Sequence, residues 1–187
     1  LAIDVSTSML AEDLKPNRLE AAKDVAAEFI NGRPNDNIGI TLFAGETFTQ
    51  CPLTVDHAVL LDMIHNIKCG LITDGTAVGM GIANAVTRLK DSKAKSKVII
   101  LLTDGTNNKG DISPMTAAEI AKSFGIRVYT IGVGTNGMAP YPYPVGNTVQ
   151  YVSMPVEIDE KTLTEIAGTT DGNYFRATSN SKLKEVY

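Results

Sequence analysis

The sequence predicts a doubly wound α/β fold: a mostly parallel central sheet with one antiparallel edge strand and helices on both faces. Three observations predict it. Apolar runs of strand length alternate with amphipathic helical stretches along most of the chain, a pattern that implies parallel strands joined by right-handed crossovers. The run from Val98 to Leu102 is unbroken in its apolarity, as a central strand covered on both faces requires. Finally, "NIGITLFAG" and "ETFTQCPL" are separated only by a tight turn at Ala44-Gly45, a connection that suits a hairpin and not a crossover.

Each element has its own warrant. "LAID" is a short apolar run ending at Asp4. "NRLEAAKDVAAEFI" sets Leu19, Ala22, Ala26, Phe29 and Ile30 on one helical face, with Asn17 as its cap. After the hairpin, "DHAVLLDMIHNI" reads as a helix capped by Asp56, and "TAVGMGIANAVTRLK" as another whose small residues permit close packing. "SKVIILLTDG" is the central strand. "SPMTAAEIAKSFG" is a helix with Ser113 as cap, Pro114 in its first turn and Gly125 at its end. "IRVYTIGVG" is a strand, "DEKTLTEIAGTT" a helix, "GNYFRA" a last edge strand and "SNSKLKEVY" the start of a closing helix.

One segment departs from the alternation. "TNGMAPYPYPVGNTVQYVSMPVE" is rich in Pro and Tyr and resumes a two-residue alternation from Thr148 to Val152. It reads as a hairpin insertion at about 136–153, expected to pack as a lid on the edge of the domain rather than to stand exposed.

Composition narrows the possibilities. A chain of 187 residues that is 43% hydrophobic suits a single domain with a sizeable core. The net charge is −4 and the basic residues are scattered, which argues against a nucleic-acid surface and against a polybasic membrane patch. No apolar stretch approaches the ~18 to 20 residues of a membrane span. The chain does not begin with Met, and Leu1 lies part-way into a strand; we expect a piece of a longer protein. Cys51 and Cys69 form no CxxC pair; a disulfide between them is geometrically possible, and two isolated, buried thiols are the preferred reading.

In a doubly wound sheet, ligands sit beyond the carboxyl ends of the strands, where strand order reverses. Three polar clusters fall at such ends: Asp4, Ser6 and Ser8 in "DVSTS"; Thr73, Asp74 and Thr76 in "TDGTAVG"; Thr103 and Asp104 in "LLTDG". Hydroxyls and carboxylates are hard oxygen donors, suited to Mg²⁺, Mn²⁺ or Ca²⁺ and not to zinc or copper. A carboxylate directly after a buried strand is costly unless a positive charge stands nearby. One divalent cation would serve both Asp4 and Asp104.

These residues resemble the metal-ion-dependent adhesion site (MIDAS) of von Willebrand factor A domains: Asp-x-Ser-x-Ser, a distant Thr and a distant Asp, in the same order. The resemblance covers essentially the whole chain. It implies a Rossmann-like fold and a metal met by the hydroxyls of Ser6, Ser8 and Thr76. Asp4 and Asp104 would act largely through bound water and hydrogen bonds, and Asp74 would support its loop. Three neutral hydroxyls leave such a cation under-neutralised, with a position open to a partner's Asp or Glu. The implied function is metal-dependent protein binding, without catalysis, with Mg²⁺ as the first expectation.

Within that family, "NRLEAAK", "FTQCPLT", "DGTAVGMGIANAVTRLKDS", "KVIILLTDG" and "VYTIGVGT" look most like the bacterial Bat-type, aerotolerance-related membrane proteins. That resemblance implies a parent anchored in the cytoplasmic membrane, with this domain exposed, the periplasmic side being favoured. It also implies association with sibling von Willebrand A proteins and a MoxR-type AAA+ ATPase system.

Other motifs carry less. "GVGTNG" (Gly132, Gly134, Gly137) matches a dinucleotide fingerprint, but that motif needs a helix at once afterwards, and "MAPYPYP" follows. "DGTNNKGD" fails the EF-hand spacing: Gly110 is one place late and Met115 stands where the bidentate Glu belongs. His57 and His65 share a helix with no nucleophile pattern near them and read as surface or packing residues. The alternative function is a Mg²⁺-dependent phosphohydrolase, but such enzymes resemble D-x-D-x-T. Here Ser6 replaces the second acid, leaving no general acid beside the nucleophile.

Overall fold

Eight strands and five helices follow one another in the computed structural model, which describes residues 1–146 and 148–177. In chain order they are β1 (Ala2–Asp4), α1 (Arg18–Asn31), β2 (Ile38–Phe43), β3 (Thr47–Thr54), α2 (His57–His65), α3 (Val78–Leu89) and β4 (Lys97–Thr103). Then come α4 (Pro114–Ser123), β5 (Ile126–Val133), β6 (Gly137–Val145), β7 (Thr148–Val156), α5 (Glu160–Thr169) and β8 (Tyr174–Ala177). A short 3-10 turn, Thr7–Leu10, follows β1. The helix expected in "SNSKLKEVY" lies outside the described residues.

Six strands form the main sheet in the order β3-β2-β1-β4-β5-β8. All neighbours are parallel except β2 and β3, as the short turn between those two requires. The chain leaves β1 toward β2 on one side and later returns to β4 on the other, so strand order reverses between β1 and β4. That reversal opens a crevice at their carboxyl ends, where Asp4 and Thr103 close the two strands.

The period-2 geometry of strands divides the core in two. Ile100 and Leu102 of β4 face α1 and α2, packing with Ile3, Leu19, Val25, Ile30, Leu60 and Ile64. Ile99 and Leu101 face the opposite way, onto α3, α4 and α5 through Val78, Ile82, Ala117 and Leu163. Both faces are therefore covered, which explains why β4 carries no polar residue from Val98 to Leu102.

Local signals place the helices. Asn17, Asp56 and Ser113 cap α1, α2 and α4, their side chains accepting from the amides of Glu20, Val59 and Thr116. The α1 face is broader than its spacing suggests: Val25 is buried, Phe29 only half-buried. Helix α3 starts at Val78 rather than Thr76, and its N-cap Ala77 has no capping side chain. The cap comes from elsewhere. Asn107 accepts from the Val78 amide and Asn108 from the Thr76 amide, each at 2.9 Å. Gly81 lies so close to the sheet that a methyl group there would sit 2.7 Å from the Phe43 ring.

The expectation of a lid is corrected. Strands β6 and β7 pair with each other and not with the main sheet, and β7 is exposed from Thr148 to Pro155. The domain holds the hairpin near its base, where Ala139 is buried and the Glu12 amide donates to the Pro140 carbonyl at 2.9 Å. The prolines at 140, 142 and 144 remove the donors that β6 would need to join the main sheet. Cys51 and Cys69 are free thiols. Cys51 is buried as expected, whereas Cys69 is only half-buried and its thiol donates to the Ser6 carbonyl at 3.3 Å.

Candidate metal centre

Asp4 is the last residue of β1, and its side chain is completely shielded from solvent. One carboxylate oxygen accepts from the Ser6 amide at 2.9 Å; the other accepts from the Thr103 hydroxyl at 2.6 Å. Thr103 is in turn fixed by the Gly105 amide, which donates to its Oγ1 at 3.0 Å. The two central strands are thus tied together at their ends by side chains as well as by the ladder.

The serines do not spend their hydroxyls on the turn that follows. Ser6 occupies the N-cap of Thr7–Leu10 without a side-chain capping bond. Instead, the Ser6 and Ser8 hydroxyls lie 3.0 Å apart. The loop before α3 reaches the same region: Asp74 accepts from the amide and hydroxyl of Thr7 at 3.1 and 2.9 Å. Burial pushes the Asp74 carboxyl up, but the bonds from Thr7 and the Gly75 amide outweigh it and hold the group below its usual range. Asp74 is therefore engaged with its loop.

Thr76 is buried and held by its backbone: its amide donates to Asn108, and its carbonyl accepts from the Asn108 and Lys109 amides at 3.0 and 3.1 Å. Its hydroxyl makes no hydrogen bond among the described residues. Asp104 follows β4, almost wholly buried. Its Oδ1 accepts from the Thr106 amide and its Oδ2 from Arg18, both at 3.2 Å.

Electrostatics mark the cluster as short of positive charge. Burial, and then the neighbouring charge of Asp104, push the Asp4 carboxyl up to about 7 against the bonds from Ser6 and Thr103. Arg18 serves Asp104 and also Asp13, but no Lys or Arg among the described residues pairs with Asp4. A cation placed among these oxygens would favour the ionised Asp4. No group of three or more His, Cys, Asp and Glu side chains assembles among the described residues, so hydroxyls would have to complete any coordination shell here. The donor set fits a hard divalent ion.

Two contributions to the site escape a reading of the sequence: the bond that Thr103 makes, and Arg18. Thr103 is visible at the strand end, yet its bond to Asp4 exists only once β1 and β4 are neighbours. Arg18 sits inside "NRLEAAK" and looks like an ordinary exposed first-turn residue, but it is 1% exposed. It grips Asp13 through Nε and Nη2, each at 2.8 Å, while Nη1 reaches Asp104. Gly134, at φ +133, makes room for it: a methyl group there would lie 2.5 Å from Arg18 Nε.

The sheet and its oxygen-lined crevice define a Rossmann-like α/β domain with a ligand face at the strand carboxyl ends. The chain belongs to the von Willebrand factor type A domain family, whose model matches residues 1–187. It is similar to an aerotolerance-related membrane protein of Bacteroides fragilis, at 34% identity and a TM-score of 0.87, over 98% of this chain and 93% of that one. It is equally similar to the protein BatB of Bacteroides thetaiotaomicron, at 34% identity and a TM-score of 0.88, over 98% and 92%.

A UPF0353 protein of Nocardia farcinica is 33% identical over 205 residues, which span all of this chain and 60% of that protein. An uncharacterized protein of Borreliella burgdorferi is 30% identical over 94% of this chain and 52% of its own length. The chain thus spans little more than half the length of these curated relatives. A mussel byssus matrix protein at 24% identity shares the fold, with a TM-score of 0.72, over 98% of this chain and 42% of that one. It is described with a zinc-occupied MIDAS motif. Among the described residues of this chain, no helix is long and apolar enough to cross a membrane.

Proposed function

We propose that this domain is a divalent-cation-dependent protein-binding module without catalytic activity. Ser6, Ser8 and Thr76 would hold the cation through their hydroxyls, and Asp4 and Asp104 through bound water and hydrogen bonds. The observation that carries this reading is the burial of Asp4 beside Asp104 with no basic partner of its own. Two shielded carboxylates set so close that one raises the other are tolerated best where a cation joins them. A shell of neutral hydroxyls would leave that cation electrophilic and able to take a carboxylate from a partner protein.

The named relatives support a membrane setting in bacteria. We place the parent in the cytoplasmic membrane, with this domain on the periplasmic side. Its partners there would be sibling von Willebrand A proteins and a MoxR-type ATPase system. Mg²⁺ is the expected ion, with Mn²⁺, Ca²⁺ and zinc as competitors.

Titration calorimetry of the metal-free domain with each of the four ions tests the site. A Ser6→Ala, Asp4→Ala double variant that still folds should lose the heat of Mg²⁺ binding. Unchanged binding in that variant would remove the assignment.

A further inference from the structure

The hairpin β6–β7 offers one open edge and one closed edge. In an antiparallel pair, residues alternate between those that bond to the partner strand and those whose N–H and C=O point outward. The Pro140 carbonyl points outward, because it accepts from the Glu12 amide. Register then assigns the rest. Pro142 and Pro144 are also outward on β6, as are their partners Ser153, Tyr151 and Val149 on β7.

The consequences for the two edges are opposite. Beyond Met138, every outward position of β6 is a proline without an N–H, so that edge cannot template another strand. On β7, the outward amides and carbonyls of Val149, Tyr151 and Ser153 bond to no other described backbone group. Tyr151 and Val149 are 61% and 58% exposed, and Val152 and Met154 add further apolar surface on the same strand. Protein surfaces rarely leave such an edge unguarded by charge. Yet Gly137–Val156 contains no Asp, Glu, Lys, Arg or His, in a chain that is 20% charged.

We infer that β7 pairs antiparallel with β7 of a second copy, joining two hairpins into a four-stranded sheet about a two-fold axis near Tyr151. The charge pattern favours an identical partner: the strip itself holds no charged residue, and Glu12, which accepts from the Tyr151 hydroxyl beside it, is paired with Lys15 at 2.9 Å, so two copies meet here without net like charge. In this register Tyr151 lies opposite Tyr151, Val149 opposite Ser153 and Gln150 opposite Val152. Such aromatic and β-branched neighbours stabilise antiparallel ladders. In this register seven residues of each strand, Thr148–Met154, pair to give a ladder of about 23 Å at ~3.3 Å per residue. Because the proline edge of each hairpin cannot extend the sheet, association stops at two copies and does not run on into fibres.

Analytical ultracentrifugation of the chain, up to sub-millimolar concentration, tests this. The expected result is a concentration-dependent shift from 19.9 kDa to twice that mass. Tyr151→Lys and Tyr151→Glu should each sediment as monomers, because the two-fold sets like charges face to face. An equimolar mixture of the two should recover the dimer. Circular dichroism on each variant confirms that the fold persists. A wild type that stays monomeric overturns the inference, including one that instead captures an added extended peptide. Single variants that dimerise like the wild type also overturn it.

Discussion

Arg18 donates through Nη1 to Oδ2 of Asp104 at 3.2 Å, across 86 positions of sequence and with both side chains almost fully buried. The same guanidinium holds Asp13, which also accepts from the Thr135 amide at 2.6 Å. Burial pushes the Asp13 carboxyl up, but Arg18 and the Thr135 amide outweigh it and keep it ionised below the usual range. The loop after β1, the start of α1, the end of β4 and the root of the hairpin therefore meet on one cation.

Removing that cation strands two shielded carboxylates. Arg18→Ala should cost on the order of 3 to 5 kcal/mol, the usual penalty for breaking a buried ion pair on one side. Arg18→Lys should recover part of this, because it restores charge but not the planar fork. Urea denaturation midpoints measure both. A loss in Arg18→Ala no larger than that of a surface substitution would contradict the geometry.

Gly134→Ala should act on the same group by another route. Its φ of +133 is strained for a residue with a side chain, and the added methyl would displace Arg18. A loss of about 1 to 3 kcal/mol is expected from the backbone term alone. Combining Gly134→Ala with Arg18→Ala should give less than the sum of the two losses, since the clash is then gone. Strict additivity would show that the two positions act independently.

The pH dependence follows from Asp4, whose carboxyl is raised from its usual 3.8 to about 7. Between those values the Asp4 carboxyl holds more proton in the folded domain than in the unfolded chain, so its own contribution to the stability of the metal-free protein should fall as pH rises through this window. A divalent cation should compete with that proton. Its stabilising effect should therefore be larger at pH 8 than at pH 5. Thermal unfolding with chelator and with Mg²⁺, across that range, checks both signs. An Asp4→Asn variant that folds and shows the same pH slope as the wild type, both chelated, would refute the role given to Asp4.

Phosphoesterase activity should be absent. Ser6 stands where a second carboxylate would act as general acid, and it lies 3.0 Å from another neutral hydroxyl. Incubation with small phosphoesters and Mg²⁺ should give no turnover above background. Turnover abolished by Asp4→Asn would favour the hydrolase reading instead.

The legible parts of this molecule are those whose cause is local. Alternating periodicity, the unbroken run in β4 and the caps Asn17, Asp56 and Ser113 all act within a few residues of themselves. The oxygen-bearing residues of the crevice were readable for the same reason: each cluster directly follows a strand or precedes a helix. Arg18 was not, because nothing nearby distinguishes a buried arginine from an exposed one. Its burial depends on Asp104 and Asp13 arriving from other elements. The cap of α3 was hidden likewise, being lent by Asn107 and Asn108 from a different loop. The hairpin is legible as a hairpin, but its placement away from the sheet edge depends on which way its prolines face.

Those two borrowed asparagines have a mechanical side. The stretch that bears Asp104 also clasps the leading turn of α3, so neither can shift without dragging the other. A tug delivered at the crevice would be felt along α3 and, through its contacts with α4, on the far flank of the sheet.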